Sequence, residues 1–559
     1  MKTFIHLLAL LALCSVPLLG QEASFESAVL LLSGASQLED LDESELERYH
    51  DLASRPLRIN LSPESKLSAS GLLSRYQAAS LRDYITHHGD VLSSSELALV
   101  DGFGAEAARA LEPFVSFETA STAGRASLDS ARIVTESLAR ASAKRTEGTS
   151  SAAYALKLRT GDAERWELAF AAKSAYSDPL WPPESLSGSA VWYGRRHLSK
   201  VVLGDFNTRF GQGLLLWSGF SLSGFSSASF ARHPSGVSAA WTLSPSMTSR
   251  GAAVELGFGR TALSLCWDLD DGAAANLTHF SSISQVGVTA VQRGAASADW
   301  RVSLGKWDLY GEAAADYPSR SLAGVAGITF NPAWQTRISA LLRAYPEGWD
   351  DSRAGGPRSA THTADERGAA LALDCKSLTF VADAALHPAK DNSQYKALLK
   401  YAPQVGDWLT IGLRLSSRYR PKDSSPLRVE ARAESSVSYR GLSVKGCADL
   451  CRCEASAWLF YVEPGLEREA GRATLKAFLR GTAFKVDKWN DRIYMYERDL
   501  PGAFSVPAYY GRGWSLSAVA SCKWRKCSLG VRASCIQYPG MSEKKPGKAE
   551  LKFQLQTKL

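Results

Sequence analysis

Residues 261–269, Thr-Ala-Leu-Ser-Leu-Cys-Trp-Asp-Leu, alternate large apolar side chains with small or polar ones. Leu263, Leu265, Trp267 and Leu269 would share one face of a strand, because successive side chains of a strand point to opposite faces. The same two-residue period recurs in many short segments over residues 131–559, each ended by Gly, Asp, Asn or Pro. Other clear examples are 334–342, 409–415 and 551–559. The sequence therefore predicts a large antiparallel β-structure.

The spacing of the turns indicates how these strands are arranged. Two-residue turns such as Gly259-Arg260 and Gly305-Lys306 contrast with long polar stretches at 348–367 and 498–513. That asymmetry is typical of the periplasmic turns and extracellular loops of a membrane barrel, which closes so that its backbone groups are satisfied within lipid. A soluble β-solenoid or a row of sandwich domains is disfavoured, because neither a fixed repeat nor an internal linker is found. Aromatic residues near strand ends would form interfacial girdles: Trp166, Trp192, Trp300, Trp334, Tyr345, Trp408 and Trp514.

The part of the chain before the strands has three predicted segments. Residues 1–20 have the positive start, apolar run and small-residue end of a signal peptide. Residues 21–118 have helical spacing, with an apolar stripe among acidic residues and Pro113 after the last helix. Residues 119–130 are small and polar and suit a linker. The predicted fold is thus a small all-α periplasmic domain, then a transmembrane barrel of about 18–20 strands at 131–559, in contact with outer-membrane lipid.

Charge is divided unevenly between the two parts. Residues 21–118 contain 17 Asp and Glu against 7 Lys and Arg, whereas residues 119–559 contain 40 against 56. A basic barrel would attract anionic lipid head groups, polyanions or anionic solutes. Charged loops that only keep the protein soluble would give the same imbalance.

One turn in the helical part has the pattern of an anion-binding motif. Val100-Asp101-Gly102-Phe103-Gly104 lies between two helical runs, with Arg109 in the second. Backbone N–H groups of such a turn, and of the helix that follows it, converge on an anion such as a phosphate. With Ile59-Asn60-Leu61, the segment 96–104 resembles the helix-hairpin-helix domain of competence-type DNA receptors.

This resemblance implies sequence-independent contact of Gly102, Phe103, Gly104 and Arg109 with a nucleic-acid backbone. The chain departs from the pattern at Glu106, where a basic residue would help, and the whole domain is acidic. Because affinity for DNA depends mainly on neutralised phosphates, a structural use of the domain, or docking of a periplasmic protein, is the alternative.

Two stretches in the barrel half are rich in glycine, aromatic and charged residues. The first, 204–214, contains Asp205, Arg209 and Gln212, which would bend a strand or enter the lumen as a shielded pair or a constriction. The second, 496–513, contains Glu497, Arg498 and Asp499 and suits an ordered loop that lines a mouth or lumen. Together with the helical segment, they resemble proteins of Bacteroides-type bacteria that join a helix-hairpin-helix segment to an outer-membrane barrel.

Patterns of catalytic, cofactor or metal sites are not found in the sequence, including nucleophile elbows, phosphate-binding loops and metal-ligand clusters. A non-enzymatic role is therefore expected. The hypothesis is an outer-membrane barrel, placed by the outer-membrane insertion machinery, that serves as a port for DNA or another polyanion. The alternative is a structural or adaptor module whose acidic helices dock a periplasmic protein.

Overall fold

The computed structural model describes residues 25–119 and 133–559, apart from positions 34, 36, 42, 163–164, 177–178, 195–196, 220–229, 246–247, 282, 334–335, 350–351, 407 and 540–545. The predicted signal peptide and most of the predicted linker lie outside the described residues. Of the helices described, none is long and apolar enough to cross a membrane.

A single closed antiparallel barrel dominates the fold. Its 24 long strands, counted over the described residues, are β1 (Ile133–Thr146), β2 (Thr149–Asp162), β3 (Trp166–Lys173), β4 (Ser185–Tyr193), β5 (Leu198–Arg209), β6 (Ser249–Phe258), β7 (Thr261–Asp268), β8 (Gly272–Phe280), β9 (Ser284–Val291), β10 (Ala295–Leu304), β11 (Trp307–Asp316), β12 (Ser321–Ala333), β13 (Thr336–Tyr345), β14 (Glu366–Cys375), β15 (Leu378–His387), β16 (Asn392–Tyr401), β17 (Leu409–Tyr419), β18 (Leu427–Tyr439), β19 (Leu442–Arg452), β20 (Ser456–Ala470), β21 (Ala473–Val486), β22 (Gly511–Trp524), β23 (Cys527–Gln537) and β24 (Lys548–Lys558). Each strand pairs with the next along the chain, and β1 pairs with β24 to close the ring. The predicted fold class is confirmed.

The strand number exceeds the predicted 18–20. Strands such as β10 and β11 are rich in alanine and serine, which give little contrast between the two faces. Several strands are also joined by tight hairpins that a sequence pattern merges into one segment. At one of them, Glu147 (φ 50°) and Gly148 (φ 82°) both have the left-handed backbone that a two-residue hairpin requires.

The two ends of the barrel differ. Because neighbouring strands are antiparallel, the start of β1, the end of β24 and turns such as 259–260 and 305–306 lie at one end, here called the short-turn end, whereas the 147–148 hairpin lies at the other. The long connections lie at the opposite, long-loop end: 174–184, 210–248, 346–365, 487–510 and 538–547. This is the predicted asymmetry of an outer-membrane barrel.

Large apolar side chains cover the outside of the barrel. On nearly every strand, the side chains that point away from the lumen include exposed leucine, valine or phenylalanine, among them Leu156, Leu158, Leu413, Leu415, Phe553 and Leu555. Water-soluble monomers rarely expose an apolar patch of more than a few hundred Å². A band that surrounds the whole barrel is the lipid-facing surface of an outer-membrane protein.

Most of the predicted aromatic girdle residues that can be assessed face outward. Trp192, Trp300 and Trp408 are exposed towards the short-turn end, and Trp514 towards the long-loop end. Tyr345 is an exception: it points into the lumen, is 2% exposed and donates a hydrogen bond to the carbonyl of Pro357 over 2.7 Å. The alternation of β13 places it on the same face as buried Arg343. Trp166 is half-buried, and Trp334 lies outside the described residues.

Before the barrel, the chain forms a compact helical unit, here called the plug (residues 25–119). Its helices are α1 (Phe25–Ser33), α2 (Glu43–Ser54), α3 (Glu64–Ala69), α4 (Arg75–His88), α5 (Ser94–Leu97) and α6 (Gly104–Leu111). Leu57–Arg58, between α2 and α3, and Val115–Ser116, after α6, form a short parallel pair. Asn60 is buried and exchanges two 2.9 Å hydrogen bonds with the backbone of Val91, so the Ile59-Asn60-Leu61 stretch has a structural role. Helix α1 was not expected from the sequence.

Candidate functional site: the lumen and its helical plug

The sequence analysis predicted that the helical segment forms a separate periplasmic domain. In the structure, the plug lies inside the barrel. Arg75, the first residue of α4, shows this most clearly. Its guanidinium is 4% exposed and reaches side chains on three successive strands: Glu255 (2.6 Å), Ser264 (2.6 Å) and Asn276 (3.2 Å). These partners face the lumen, so α4 begins within it. The prediction of a separate domain was wrong. The acidic charge of residues 21–118 suggested an external partner, but its partners are basic residues of the barrel wall.

An acidic stripe on α2 faces a basic strip of the wall. Glu43, Glu47 and Asp51 are spaced by four residues and therefore share one face of the helix. Glu43 pairs with Lys173 of β3 over 2.7 Å. Glu47 and Asp51 both pair with Lys157 of β2, over 2.6 and 2.7 Å. Side chains of helix α2 are thus held against β2 and β3 by charge-assisted hydrogen bonds, which are stronger than neutral ones.

A second set of ion pairs holds the start of the plug. Glu26 of α1 lies 3.5 Å from Lys445 and 3.2 Å from Arg498. The charge of Lys445, against the opposing effect of burial, lowers the pKa of Glu26 to about 2, and Arg498 adds to the shift. Glu39 pairs with Arg432 of β18 over 2.9 Å. Acidic residues of the plug therefore meet basic residues on two separate parts of the wall, β2–β3 and β18–β19.

The stretch that contains Glu497, Arg498 and Asp499 folds from the long-loop end into the lumen. Glu497 pairs with Arg532 of β23, and Asp499 with Lys552 of β24, each over 2.7 Å. Arg498 lies 3.2 Å from both Glu463 of the wall and Glu26 of the plug. The backbone N–H of neighbouring Tyr496 also donates to Glu39 of the plug over 2.8 Å. This loop is in direct contact with the plug.

The stretch that contains Asp205, Arg209 and Gln212 also lines the lumen, but Asp205 and Arg209 do not form the pair that was expected. Asp205 pairs with Arg250 of the adjacent strand over 2.7 Å, and the Arg209 side chain reaches Glu45 of the plug over 3.5 Å. Residues four apart on a strand point to the same face but lie about 13 Å apart, which is too far for a direct ion pair. Gln212 is buried and accepts a hydrogen bond from the backbone N–H of Arg232 over 2.9 Å.

Glu312 of β11, which sequence reasoning missed, anchors this stretch from across the lumen. It is 1% exposed and accepts hydrogen bonds from the N–H groups of Gln212 (2.7 Å) and Leu214 (3.1 Å). Gly211 has a φ of +56°, and a Cβ there would lie 2.8 Å from the Glu312 carboxyl group. The glycines of the motif therefore permit a close approach between loop and wall. A single acidic residue within a strand gave no signal of this role.

The turn with the anion-binding pattern faces the short-turn end. Gly102 (φ +85°) and Gly104 (φ +71°) are exposed, and open space surrounds Gly104. Phe103 is buried in the plug core and Arg109 is half-buried. Nearby, Glu106 lies 3.6 Å from Arg337, next to a short turn of the wall. A turn joins two short helices here, but Phe103 is part of the core and does not face an anion site.

Together, these contacts describe a lumen that is filled from both ends. The plug occupies the side of the short turns, and the described parts of loops 210–248, 346–365 and 487–510 fold in from the other side. Leu214, Phe230, Leu341 and Tyr345 are among the residues of the apolar cluster that these loops form with the inner wall. Barrels of more than twenty strands are wide enough to need such a filling or to leave a large pore.

Comparison with protein-family models and with curated proteins finds no match. Among solved structures, the chain is similar to Pseudomonas aeruginosa OpdO, with 11% identity, 76% of this chain and 96% of that chain covered, and a TM-score of 0.33. It is also similar to the translocation pore of the P pilus usher PapC (10% identity, 76% and 99% covered, TM-score 0.36). A third similar structure is Acinetobacter baumannii OccAB4 (8% identity, 76% and 97% covered, TM-score 0.28). Likenesses this weak carry no argument, and the 24-strand outer-membrane barrel rests on its own strand pairing and apolar exterior.

Proposed function

We propose that this protein is a gated outer-membrane port for anionic solutes, and that its own N-terminal helices close it. The observation that carries the proposal is a set of ion pairs between carboxylates of the plug and cations of the wall. Four carboxylates of the plug each form an ion pair with a lysine or arginine of the wall: Glu26, Glu39, Glu43 and Glu47. If the plug moves, those cations line the opened passage.

A lumen lined in this way would favour anions. Lys157 and Lys173 belong to β2 and β3, and Arg432 and Lys445 to β18 and β19, so these cations form two separate patches on the wall. Their low-dielectric surroundings strengthen the field that an entering solute meets. The plug carboxylates act as internal competitors for these sites, which makes closure reversible in principle by a stronger anion.

Single-channel recording in a planar bilayer tests the proposal. The full chain should be closed or nearly so, whereas Glu47→Lys/Asp51→Lys, which reverses the charge of the stripe, should open with a reversal potential that indicates anion selectivity. The matched control is Asp83→Lys/Asp101→Lys, because it changes the charge equally on the exposed side of the plug. A stripe variant that stays closed, or opens to cations, contradicts the proposal.

DNA is the anionic substrate that the resemblance of 96–104 implies. Its support is the exposed turn at Gly102 and Gly104, which precedes α6 without a side-chain cap at the start of that helix. The full chain in detergent should bind duplex DNA at low salt, more weakly as salt rises, and Gly104→Val should weaken that binding. If no binding is seen at low salt, DNA is removed from the proposal and smaller anions remain.

A second candidate is the adaptor role, in which the plug also docks a periplasmic protein. It is favoured by two large apolar side chains on the exposed side of the plug, Leu92 (66% exposed) and Leu99 (75% exposed). Cross-linking in intact cells should then capture one defined partner with the native chain and lose it with Leu92→Ser/Leu99→Ser. Equal capture by both chains removes this candidate.

A further inference from the structure

Two arginines face each other on the lumen wall at the long-loop end. Arg418 is the residue before the last of β17, and Arg428 is the second residue of β18. The strand register pairs them directly across the ladder. Both point into the lumen, because they alternate with Tyr419 and Leu427, which are exposed on the outside of the barrel. Like charges directly opposite each other on neighbouring strands destabilise a sheet.

Lumen-facing arginines elsewhere in this barrel have a carboxylate as their partner. Arg432 contacts Asp449, and Arg532 contacts Glu497, each over 2.7 Å. Among the described residues, by contrast, no carboxylate lies within 4 Å of the Arg418 guanidinium, and this group donates no hydrogen bond to any of them. The Arg418 side chain is half-buried and is therefore accessible to a solute at the mouth of the lumen.

The carboxylate that Arg428 contacts is shared with other arginines. Arg428 is 16% exposed and lies 3.1 Å from Glu430. Glu430 also forms an ion pair with Arg414 and lies 4.0 Å from Arg432. The other hydrogen bonds of the Arg428 guanidinium go to backbone carbonyls of the inserted loop 487–510. One carboxylate therefore serves three arginines and offsets the charge of Arg428 only in part.

A third arginine adds positive charge at the same place. Arg420 lies in the turn after β17, and Arg420 and Arg428 are the charged residues with the strongest effect on Arg418. The Arg420 guanidinium donates to the Gln394 side chain and lies 3.9 Å from Asp423. Because Arg420 is 35% exposed and Asp423 is 41% exposed, water weakens their attraction. The three arginines thus form a basic cluster in which Arg418 has no carboxylate of its own.

We propose that Arg418, Arg420 and Arg428 form a binding site for a dianionic oxyanion of the phosphate class. Guanidinium groups present N–H donors in a fork that matches the oxygens of phosphate. A dianion between the two opposed arginines replaces their repulsion with two attractions, and its effect is larger than that of a monoanion. Because these side chains face the lumen and not the lipid, the ligand is a soluble anion. The inference rests on the proposed port for its physiological meaning, and it names the class of solute that the port admits.

Isothermal titration of the full chain in detergent tests the site, with inorganic phosphate as the probe and acetate as a monoanion. At about pH 8, phosphate is mainly a dianion. Phosphate should bind saturably, and acetate should bind at least tenfold more weakly. Arg418→Gln should weaken phosphate binding about tenfold or more, the effect of losing charge-assisted hydrogen bonds.

Arg418→Glu should abolish phosphate binding, because the new carboxylate itself neutralises Arg428. The same variant should unfold at a higher temperature than the native chain, since an attractive cross-strand pair replaces a repulsive one. This second measurement shows that the variant is folded and tests the repulsion directly.

Arg468→Gln is the matched control, because Arg468 is an exposed arginine of β20 near the short-turn end and should leave the affinity unchanged. The inference is overturned if phosphate does not bind saturably, if acetate binds equally well, or if Arg418→Gln and Arg418→Glu retain the native affinity. It is also overturned if Arg468→Gln weakens binding as much as Arg418→Gln. Binding is measured on the closed protein and needs no conductance. A silent barrel that still binds phosphate would therefore remove the port but not the site.

Discussion

Loss of the Lys157 ammonium group should release α2 from the wall. Lys157 is 4% exposed and holds both Glu47 and Asp51, at 2.6 and 2.7 Å. Lys157→Met keeps much of the side-chain volume but leaves two carboxylates in the lumen without their cation. Removal of one partner of a buried ion pair typically costs about 3–5 kcal/mol. At about 1.4 kcal/mol for each factor of ten, the undocked population of α2 should rise by a factor between about 10² and about 4 × 10³.

Hydrogen–deuterium exchange of the full chain in detergent measures this effect. Peptides from α2 should exchange faster by that factor, while peptides from the barrel strands should keep their native rates. Adding Glu47→Gln and Asp51→Asn to Lys157→Met should restore much of the protection, because no uncompensated charge remains. Lys476→Met removes an exposed surface pair, for which about 0–1 kcal/mol is expected. The reasoning is refuted if α2 in Lys157→Met exchanges at the native rate, or no faster than in the surface control.

Two other predictions concern α1 and the loop that Glu312 anchors. Because Lys445 lowers the pKa of Glu26 to about 2 from its ordinary 4.5, Glu26 stabilises docking above pH 4.5 and loses this contribution as the pH falls towards 2. Protection factors of α1 in the native chain should drop as the pH falls over that range. In Glu26→Gln, which has no carboxylate at this position, they should drop less over the same range. An identical pH response in both proteins would contradict the assignment. Gly211→Val should speed hydrogen–deuterium exchange in residues 210–219, because it introduces backbone strain and a clash with Glu312. Gly348→Val is the control, because a Cβ there meets open space and should leave exchange in 210–219 unchanged. Equal effects of the two variants would disprove the close approach.

The sequence was sufficient to predict the barrel because its exterior follows a local rule. Alternation of apolar residues, as in Leu413 and Leu415, depends only on neighbours in the chain and on the lipid outside. The strand number was underestimated where alanine replaced larger residues, as at Ala313 to Ala315 of β11. There, the difference between the two faces is too small to mark a strand.

The position of the plug could not be predicted in the same way. The charge division between residues 21–118 and 119–559 was visible, but it is equally compatible with a partner protein, a lipid surface or a solute. The choice depends on contacts such as those of Arg75 with Glu255 and Asn276, which are 180 and 201 residues away in the chain. Asp205 illustrates the same limit, since its cation comes from the adjacent strand and not from the motif itself.

Zero-length carbodiimide cross-linking of the native full chain, followed by mass spectrometry, tests most directly whether the helices close the lumen. The reagent joins amines to carboxylates that already touch. We expect isopeptide bonds from Lys173 to Glu43 and from Lys157 to Asp51, together with Lys476 to Glu467 within the barrel as an internal standard. If the internal standard forms and no bond joins the helices to the barrel wall, the helices are outside the barrel and the account is wrong.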